Sequence, residues 1–327
     1  MTRSSHDETA PVERAARILR EGGLVAFPTE TVYGLGADAE NGRAVERVFA
    51  AKGRPATHPL IVHLARPDQL AHWASDVPAP AWLLAERFWP GPLTLVLRRS
   101  GRVPLAVTGG LETVALRVPA HPTALALLAA FGGGVAAPSA NRFGSISPTT
   151  ARHVREELGD RVDFVLDGGA CDVGVESTIV DVTADEPRIL RPGGITREDL
   201  EEALRRPVPS GAQGSIRVPG QHPSHYAPRA RVLLVEPAEV VAEGVRQQAR
   251  GGRVGVLLPP GHGTASRPGL EAIAVPGSLA EYARGLYDLL REFDRRGCTV
   301  IVASLPPAEG LGAAIADRLR RAAGPRG

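Results

Sequence analysis

The stretch LVAFPTETVYGLG, residues 24–36, decides how the first part of the chain is interpreted. Residues 24–27 form a short apolar run, which predicts a buried strand. The nine residues after it contain two Thr hydroxyls, a carboxylate, a Tyr and two Gly. Because open α/β sheets bind their ligands at strand ends, this segment is a candidate binding loop as well as a capped turn.

The same alternation of short apolar strands and helices extends over residues 11–205 and restarts at residue 231. Between these regions, residues 206–230 are rich in Pro, Gly and Ser and show little apolar periodicity. We therefore predict an α/β fold with a domain at 1–205, a linker at 206–230 and a small α/β domain at 231–327. A linker of about 25 residues is long for a passive connection, which indicates a functional segment.

The composition excludes several classes of protein. A chain of 327 residues with 43% hydrophobic residues and a net charge of +2 is typical of a soluble globular protein. That charge gives no strong attraction to nucleic acid or to a membrane surface. Residues 1–11 lack an apolar signal segment and the longest apolar run, 124–137, contains three Gly, so we expect a cytoplasmic protein. Cys171 and Cys298 are predicted to be free and buried.

The basic residues are unusual because Lys52 is the single Lys among 38 basic residues. Asn is almost as rare, with only Asn41 and Asn141. Lys52 lies in the segment KGRP at the end of a predicted helix, where either cation would suit the helix dipole. In a chain that otherwise uses Arg, a Lys indicates that a compact ammonium is required, for instance on a phosphate, with Arg54 supplying a second cation.

Further polar side chains lie beside predicted strands. His58 and His63 bracket residues 60–64, and a strand His is more often a core residue than a ligand. Arg117 closes the apolar strand VALRV. A buried Arg needs an anionic partner, which is either an internal carboxylate or the carboxylate of a substrate.

The segment APSAN, 137–141, again follows a strand and contains Ser139 and Asn141. Ser147, Thr149 and Thr150 come next, around Pro148, where they can cap a helix over 148–158. The segments VESTIVD and RPGG complete the set, with Glu30 and Glu176 as isolated acids. P-loop and dinucleotide-binding signatures are absent, as are a nucleophile–base pair and a metal cluster. This inventory favours binding and orienting anionic groups over covalent catalysis, and it predicts no metal ligands from the protein.

Six motifs occur in order: PTETVYGLGAD, KGRP with HPLIVH, WPGPLTLVL, APSAN, ESTIVD and RPGGIT. Together they resemble the YrdC-like catalytic domain of the threonylcarbamoyl-AMP synthase family. The segment 219–228, which reads PG-x-x-x-x-HYAP, and the second α/β region resemble the two-domain form of that family. The resemblance implies a YrdC-like twisted, open mixed sheet, joined by the linker to a small Rossmann-like three-layer α/β domain.

The resemblance also implies the reaction. L-threonine and bicarbonate form N-carboxythreonine, whose carboxylate attacks the α-phosphate of ATP to give threonylcarbamoyl-AMP and pyrophosphate. Magnesium accompanies ATP, held mainly by phosphates and water. The product passes to a tRNA threonylcarbamoyl transferase complex that modifies tRNA next to the anticodon. Neither membrane binding nor strong direct binding of nucleic acid is expected.

By similarity, the motifs assign roles to particular residues. Catalytic roles fall to Lys52, Arg54, Ser139 and Asn141. Threonine binding falls to Thr31, His63, Arg117, Ala137 and Ser177. ATP binding falls to Lys52, Arg54, His58, Thr113, Ser139, Asn141, Ser147, Arg191, His225 and Tyr226. The resemblance implies that the linker at 206–230 folds over the active site as a lid. The linker departs from the family at Val218, Gln221 and His222, where the family usually has Ser, Met and Lys.

Three alternatives stay open from the sequence. The first is a double-stranded-RNA-binding module, which the small net charge and the single Lys disfavour. The second is a carbamoyl-adenylate-forming domain like that of hydrogenase maturation proteins, whose acylphosphatase and zinc-finger segments are missing here. The third is an inactive paralogue, which the intact K-x-R and S-x-N pairs disfavour.

Overall fold

The computed structural model describes residues 5–211, 217–220, 225–262, 268–273 and 277–325, with side chains described from residue 9 onward. The chain divides into two compact units. The first unit comprises residues 1–143, 148–172 and 176–221, and the second comprises residues 144–147, 173–175 and 222–327. The predicted boundaries at 205 and 230 stay a prediction.

A mixed sheet forms the centre of the first unit, as predicted. Its described strands are β1 Val25–Phe27, β2 Gly34–Asp38, β3 Ile61–His63, β4 Ala74–Asp76, β5 Leu93–Arg99, β6 Thr113–Arg117, β7 Val135–Ala136, β8 Phe164–Val165, β9 Thr178–Asp181 and β10 Arg188–Arg191. Their order is β10-β9-β5-β6-β3-β7-β2-β1-β8, and β4 pairs with β5. The pairs β1–β8, β3–β6 and β5–β9 are parallel, and the other pairs are antiparallel.

Helices cover the apolar side chains of this sheet. The described helices are α1 Ser5–Arg20, α2 Gly42–Lys52, α3 Leu70–Trp73, α4 Ala79–Phe88, α5 Leu105–Thr108, α6 Pro122–Phe131, α7 Ala151–Leu158 and α8 Arg197–Leu204. Leu19 of α1 and Leu127 of α6 are completely buried in one apolar cluster with Phe27 of β1. A second cluster joins Val45 and Val48 of α2 to Leu84 of α4 and the sheet.

Two local predictions differ from the structure. The segment after β1 is the loop of an antiparallel hairpin, because residues 34–38 form β2 and pair with β1. Strand β2 reads GLGAD, and two apolar residues alternating with glycines were too weak a pattern from which to predict a strand. Helix α7 begins at Ala151, three residues later than predicted, because the Pro148 carbonyl accepts the Tyr33 N–H and Thr150 is the extended N-cap.

The second unit contains a small parallel sheet. Its described strands are β11 Arg231–Leu234, β12 Val254–Leu257, β13 Leu270–Ala272 and β14 Val300–Ala303, in the order β11-β14-β12-β13. Its described helices are α9 Val240–Ala249, α10 Leu279–Arg295 and α11 Leu311–Ala322. The bounds of α10, α11 and β14 were predicted correctly from the apolar pattern. Strand β13 begins two residues before the strand predicted at 272–275, of which residues 274–275 lie outside the described residues.

Other general predictions can also be compared with the structure. Cys171 and Cys298 are both free and buried, as predicted. None of the helices in the described ranges combines the length and the apolar character needed to cross a membrane.

The Asn41 side chain has a purely local role. It is the N-cap of α2, and its Oδ1 accepts the Ala44 N–H at 3.2 Å. We predict that Asn41→Ala lowers the free energy of unfolding by about 1 kcal/mol, measured by urea denaturation of the full chain. Asn41→Asp keeps an acceptor and should retain most of that stability. A loss of catalytic turnover in properly folded Asn41→Ala would contradict this role.

Candidate active site

The loop of the β1–β2 hairpin contains a hydrogen-bonded hydroxyl pair. Thr29 Oγ1 and Thr31 Oγ1 lie 2.8 Å apart, and Thr29 Oγ1 also donates to the Val32 carbonyl at 2.6 Å. Thr29 Oγ1 accepts the N–H groups of Thr31 and Val32 at 3.2 Å. These bonds fold the loop so that the buried Thr31 hydroxyl has a fixed position.

The guanidinium of Arg117, at the end of β6, lies against this loop. Its Nη1 donates to Thr31 Oγ1 at 3.0 Å, and its Nε donates to the Gly91 carbonyl at 3.2 Å. Its Nη2 forms an ion pair with Glu30 Oε1 at 2.8 Å. The buried Arg117 therefore has an internal carboxylate as partner, which is one of the two alternatives left open by the sequence.

His63 is the direct neighbour of Arg117, because the two residues are paired across the parallel strands β3 and β6. The ring packs edge-on against Phe27, with a centroid distance of 5.7 Å. Burial and then the charge of Arg117 lower the pKa of His63 to about 3, despite opposing backbone contacts. His63 is therefore neutral at physiological pH and adds no charge to the pocket.

The end of α2 is joined to residues 139–143 by both side chain and backbone. Lys52 Nζ donates to the Ser139 carbonyl at 2.5 Å and also to the Asn141 carbonyl. The Lys52 carbonyl accepts the Phe143 N–H at 2.8 Å, and Gly53 ends the helix with a φ of 63°. Burial, followed by the nearby charge of Arg54, lowers the pKa of Lys52 well below its usual value.

Phe143 brings Arg54 and His58 together. The Arg54 guanidinium carbon lies 5.8 Å from the centroid of the Phe143 ring, and the His58 ring lies edge-on to it at 5.4 Å. Arg54 Nη2 donates to the Pro59 carbonyl at 3.1 Å. Both cations of the K-x-R pair are therefore buried and lie next to the segment that carries Ser139 and Asn141.

The segment 137–141 lies between β3 and the hairpin loop. The Ala137 N–H donates to the Ile61 carbonyl at 2.9 Å. The Leu35 N–H donates to the Pro138 carbonyl, and the Ala140 N–H donates to the Tyr33 carbonyl, each at 2.8 Å. The three motifs PTETVYGLGAD, HPLIVH and APSAN are thus brought together by backbone hydrogen bonds.

Ser177 and Arg191 form the next part of the site. Ser177 Oγ lies 2.8 Å from Thr94 Oγ1, and Arg191 Nη2 donates to both the carbonyl and the hydroxyl of Ser177. Arg191 Nη1 donates to the Pro219 carbonyl of the linker at 3.0 Å. Position 193 accepts only glycine, because a Cβ there would lie 2.3 Å from the Glu176 carbonyl oxygen.

Val218 in the middle of the linker covers an apolar surface of the sheet. Val218 is 5% exposed and packs in a cluster with Ile61, Val96, Ala115, Ile179 and Leu190. This contact explains why an apolar residue is suitable at 218, where the family usually has Ser. The other two departures, Gln221 and His222, lie outside the described residues.

Of the other sequence-predicted residues, one lies at the far end of β6 and three belong to the second unit. Thr113 begins β6 and pairs with Arg98, at the other end of the strand from Arg117. Ser147, His225 and Tyr226 belong to the second unit. There, Tyr226 is 1% exposed, has a φ of 60°, and lies 5.2 Å from the Arg318 guanidinium carbon and 5.8 Å from the Tyr287 ring.

The structure also shows site residues to which the sequence assigned no role. Glu30, Thr94 and Phe143 contact Arg117, Ser177 and Arg54 respectively. Glu30 could have been predicted from its position inside the hydroxyl-rich loop. No feature of the sequence pointed to Thr94 or Phe143. Within the described ranges, no group of three His, Cys, Asp or Glu side chains is placed to hold a metal ion.

Two family models match the chain. One, described as "Telomere recombination", matches residues 17–193, and one, described as "Threonylcarbamoyl-AMP synthase, C-terminal domain", matches residues 195–324. The threonylcarbamoyl-AMP synthase of Pyrococcus abyssi is 45% identical over 323 residues, which cover 95% of this chain and 94% of that protein. The Bacillus subtilis enzyme of the same name is 44% identical and covers 96% and 93% respectively.

The fold is similar to a solved structure over almost its full length. The crystal structure of P. abyssi Sua5 complexed with L-threonine matches with a TM-score of 0.91 and 42% identity, covering 97% of this chain and 95% of that one. Fold and relatives define an enzyme of the nucleotidyl-transfer type. The chain belongs to the threonylcarbamoyl-AMP synthase family, and its product is threonylcarbamoyl-AMP.

The lowered pKa of His63 makes stability depend on pH. Between the unfolded value of about 6.5 and the folded value of about 3, the unfolded chain binds a proton that the folded chain does not. Stability should therefore fall as the pH falls. We predict that wild type loses about 2 kcal/mol more than His63→Gln between pH 7.5 and pH 5. Equal losses in urea denaturation of the two chains would contradict the assignment.

Proposed function

We propose that the chain makes threonylcarbamoyl-AMP and pyrophosphate from L-threonine, bicarbonate and the magnesium complex of ATP. The contact that carries the proposal is Lys52 Nζ with the carbonyls of Ser139 and Asn141. It places the K-x-R cations beside the S-x-N segment within one unit. The similarity to a threonine-bound structure over most of the chain supports threonine as the amino-acid substrate.

We assign the threonine pocket to the hairpin loop and its neighbours. Arg117 would bind the substrate carboxylate, with Thr31, Ala137 and Ser177 on the same lining and neutral His63 beside them. The supporting contacts are Arg117 with Thr31 and the parallel pairing of His63 with Arg117. A neutral His63 avoids placing a second cation next to the guanidinium.

The ATP site is assigned to Lys52, Arg54, His58, Thr113, Ser139, Asn141, Ser147 and Arg191, with His225 and Tyr226 contributed by the linker. Burial fixes Lys52 and Arg54, so they would act as oriented donors for the triphosphate. The metal that enters with ATP is coordinated by phosphate oxygens and water and partly neutralises the phosphates.

The reaction then has two steps. The threonine amine and bicarbonate form N-carboxythreonine with loss of water. An oxygen of this new carboxylate forms a bond to the α-phosphorus, and the bond from that phosphorus to the pyrophosphate oxygen breaks. Because two anions meet, cations are needed to screen them, and the protein contributes mainly by binding and orienting the substrates. We further propose that this occurs in the cytoplasm and that the product passes to a tRNA threonylcarbamoyl transferase complex.

The decisive assay is pyrophosphate release from ATP. We predict that release requires both threonine and bicarbonate and that Lys52→Met lowers it by at least ~100-fold, as for other lost electrostatic donors. Arg102→Ala is the matched control, because Arg102 is an exposed cation paired with Glu40. Release that is independent of threonine, or a Lys52→Met rate equal to that of wild type, would show the mechanism to be wrong.

A second prediction concerns the linker. Replacing His225 and Tyr226 together by Ala should lower pyrophosphate release, because the HYAP segment is assigned to the nucleotide. Tyr282→Phe in α10 is a suitable control from the same unit, since its buried hydroxyl has no hydrogen-bond partner among the described residues. Undiminished turnover by a folded double variant would contradict the linker's role.

A further inference from the structure

Glu30 is the acid in the candidate threonine pocket, and both its oxygens already have partners. Its side chain is 8% exposed, and its Oε1 forms the 2.8 Å ion pair with Arg117, whose side chain is 4% exposed. Its Oε2 accepts the Ala120 N–H at 3.1 Å. Glu30 is therefore held by one ion pair and one hydrogen bond, and its Oε1 accepts no hydrogen bond within the described part of the chain.

The Arg117 guanidinium is consequently fixed on several sides. Its Nε and Nη1 donate to the Gly91 carbonyl and the Thr31 hydroxyl, and its Nη2 forms the ion pair with Glu30 without a hydrogen bond among the described residues. A guanidinium has five N–H groups, so these two hydrogen bonds leave three of them for a ligand. The Glu30 contact therefore limits how the guanidinium can rotate and which N–H groups face the pocket.

Glu30 also changes the charge of the pocket. A buried guanidinium without a counter-ion is strongly unfavourable, and it would draw an anion from solvent. The Glu30–Arg117 pair is neutral overall, and burial together with Arg117 keeps His63 neutral as well. The pocket therefore offers directed N–H donors without a net positive charge.

We propose that Glu30 is a positioning residue that makes this pocket select a zwitterionic amino acid over a free inorganic anion. It orients Arg117 for the amino-acid carboxylate and cancels the charge that would otherwise attract phosphate or sulfate. This inference rests on the proposed assignment of Arg117 to threonine. It adds a reason why the acid stands between the two Thr of the hairpin loop.

The test compares full-length wild type with Glu30→Gln, which keeps the size of the side chain and removes its charge. We expect the threonine KM to rise about tenfold, whereas the ATP KM and the kcat at saturating threonine change less than about twofold. Sulfate should compete with threonine in Glu30→Gln and not in wild type. Glu30→Asp keeps the charge, so it should resist sulfate while showing an intermediate threonine KM.

Asp181→Asn is the matched control, because Asp181 is a buried carboxylate of β9 that bonds to Thr183. Its threonine KM should equal that of wild type. An unchanged threonine KM in Glu30→Gln, a fall in kcat alone, or sulfate competition in Glu30→Asp would overturn the inference. If Glu30→Gln does not fold, Glu30→Asp alone decides through its response to sulfate.

Calorimetric titration with threonine in the absence of ATP separates this inference from the proposed function. Wild type that binds threonine but releases no threonine-dependent pyrophosphate would contradict the proposed function alone. Equal threonine affinities for wild type and Glu30→Gln would contradict the positioning role alone.

Discussion

The burial of cationic side chains is the constraint on which the candidate site depends. Lys52, Arg117 and Arg191 are each no more than 3% exposed. A charge removed from water is tolerated only if other polar groups replace its hydration. Here backbone carbonyls do so for Lys52 and Arg191, and a carbonyl, a hydroxyl and a carboxylate do so for Arg117.

This constraint explains how separate motifs become one site. Each buried cation takes acceptors from a different stretch of chain, so satisfying the charge also fixes the stretches relative to one another. Lys52 donates hydrogen bonds to residues 139–141, and Arg117 donates one to the hairpin loop. Arg191 donates to Ser177 and to Pro219, which belongs to the linker. The resulting donors are oriented before a substrate binds, which is the arrangement that stabilises developing charge most effectively.

The sequence predicted the composition of this site better than its internal pairing. The rarity of Lys and Asn pointed to Lys52 and Asn141, and strand ends pointed to the remaining segments. Hairpin strand β2 was missed because Gly34 to Asp38 carries small residues, whose pairing depends on distant strands and not on local propensity. The pairing of Arg117 with Glu30 was equally inaccessible, since residue spacing does not determine which distant carboxylate faces a strand.

The same contacts explain why a chain rich in Arg retains a Lys at position 52. The two acceptors of Lys52 Nζ are carbonyls two residues apart in one segment, at Ser139 and Asn141. A single tetrahedral nitrogen can donate to both from one point and still has a third N–H group. An Arg at this position would carry a larger, planar guanidinium. Its donors would reach both carbonyls only if these lay further from the end of α2 and in the plane of the guanidinium. Because the Lys52 carbonyl also binds the Phe143 N–H, the segment cannot move outward to accommodate the larger group without losing that bond. Geometry therefore explains the Lys at this position of a chain that otherwise uses Arg, and the helix-dipole explanation, which either cation would satisfy, is insufficient.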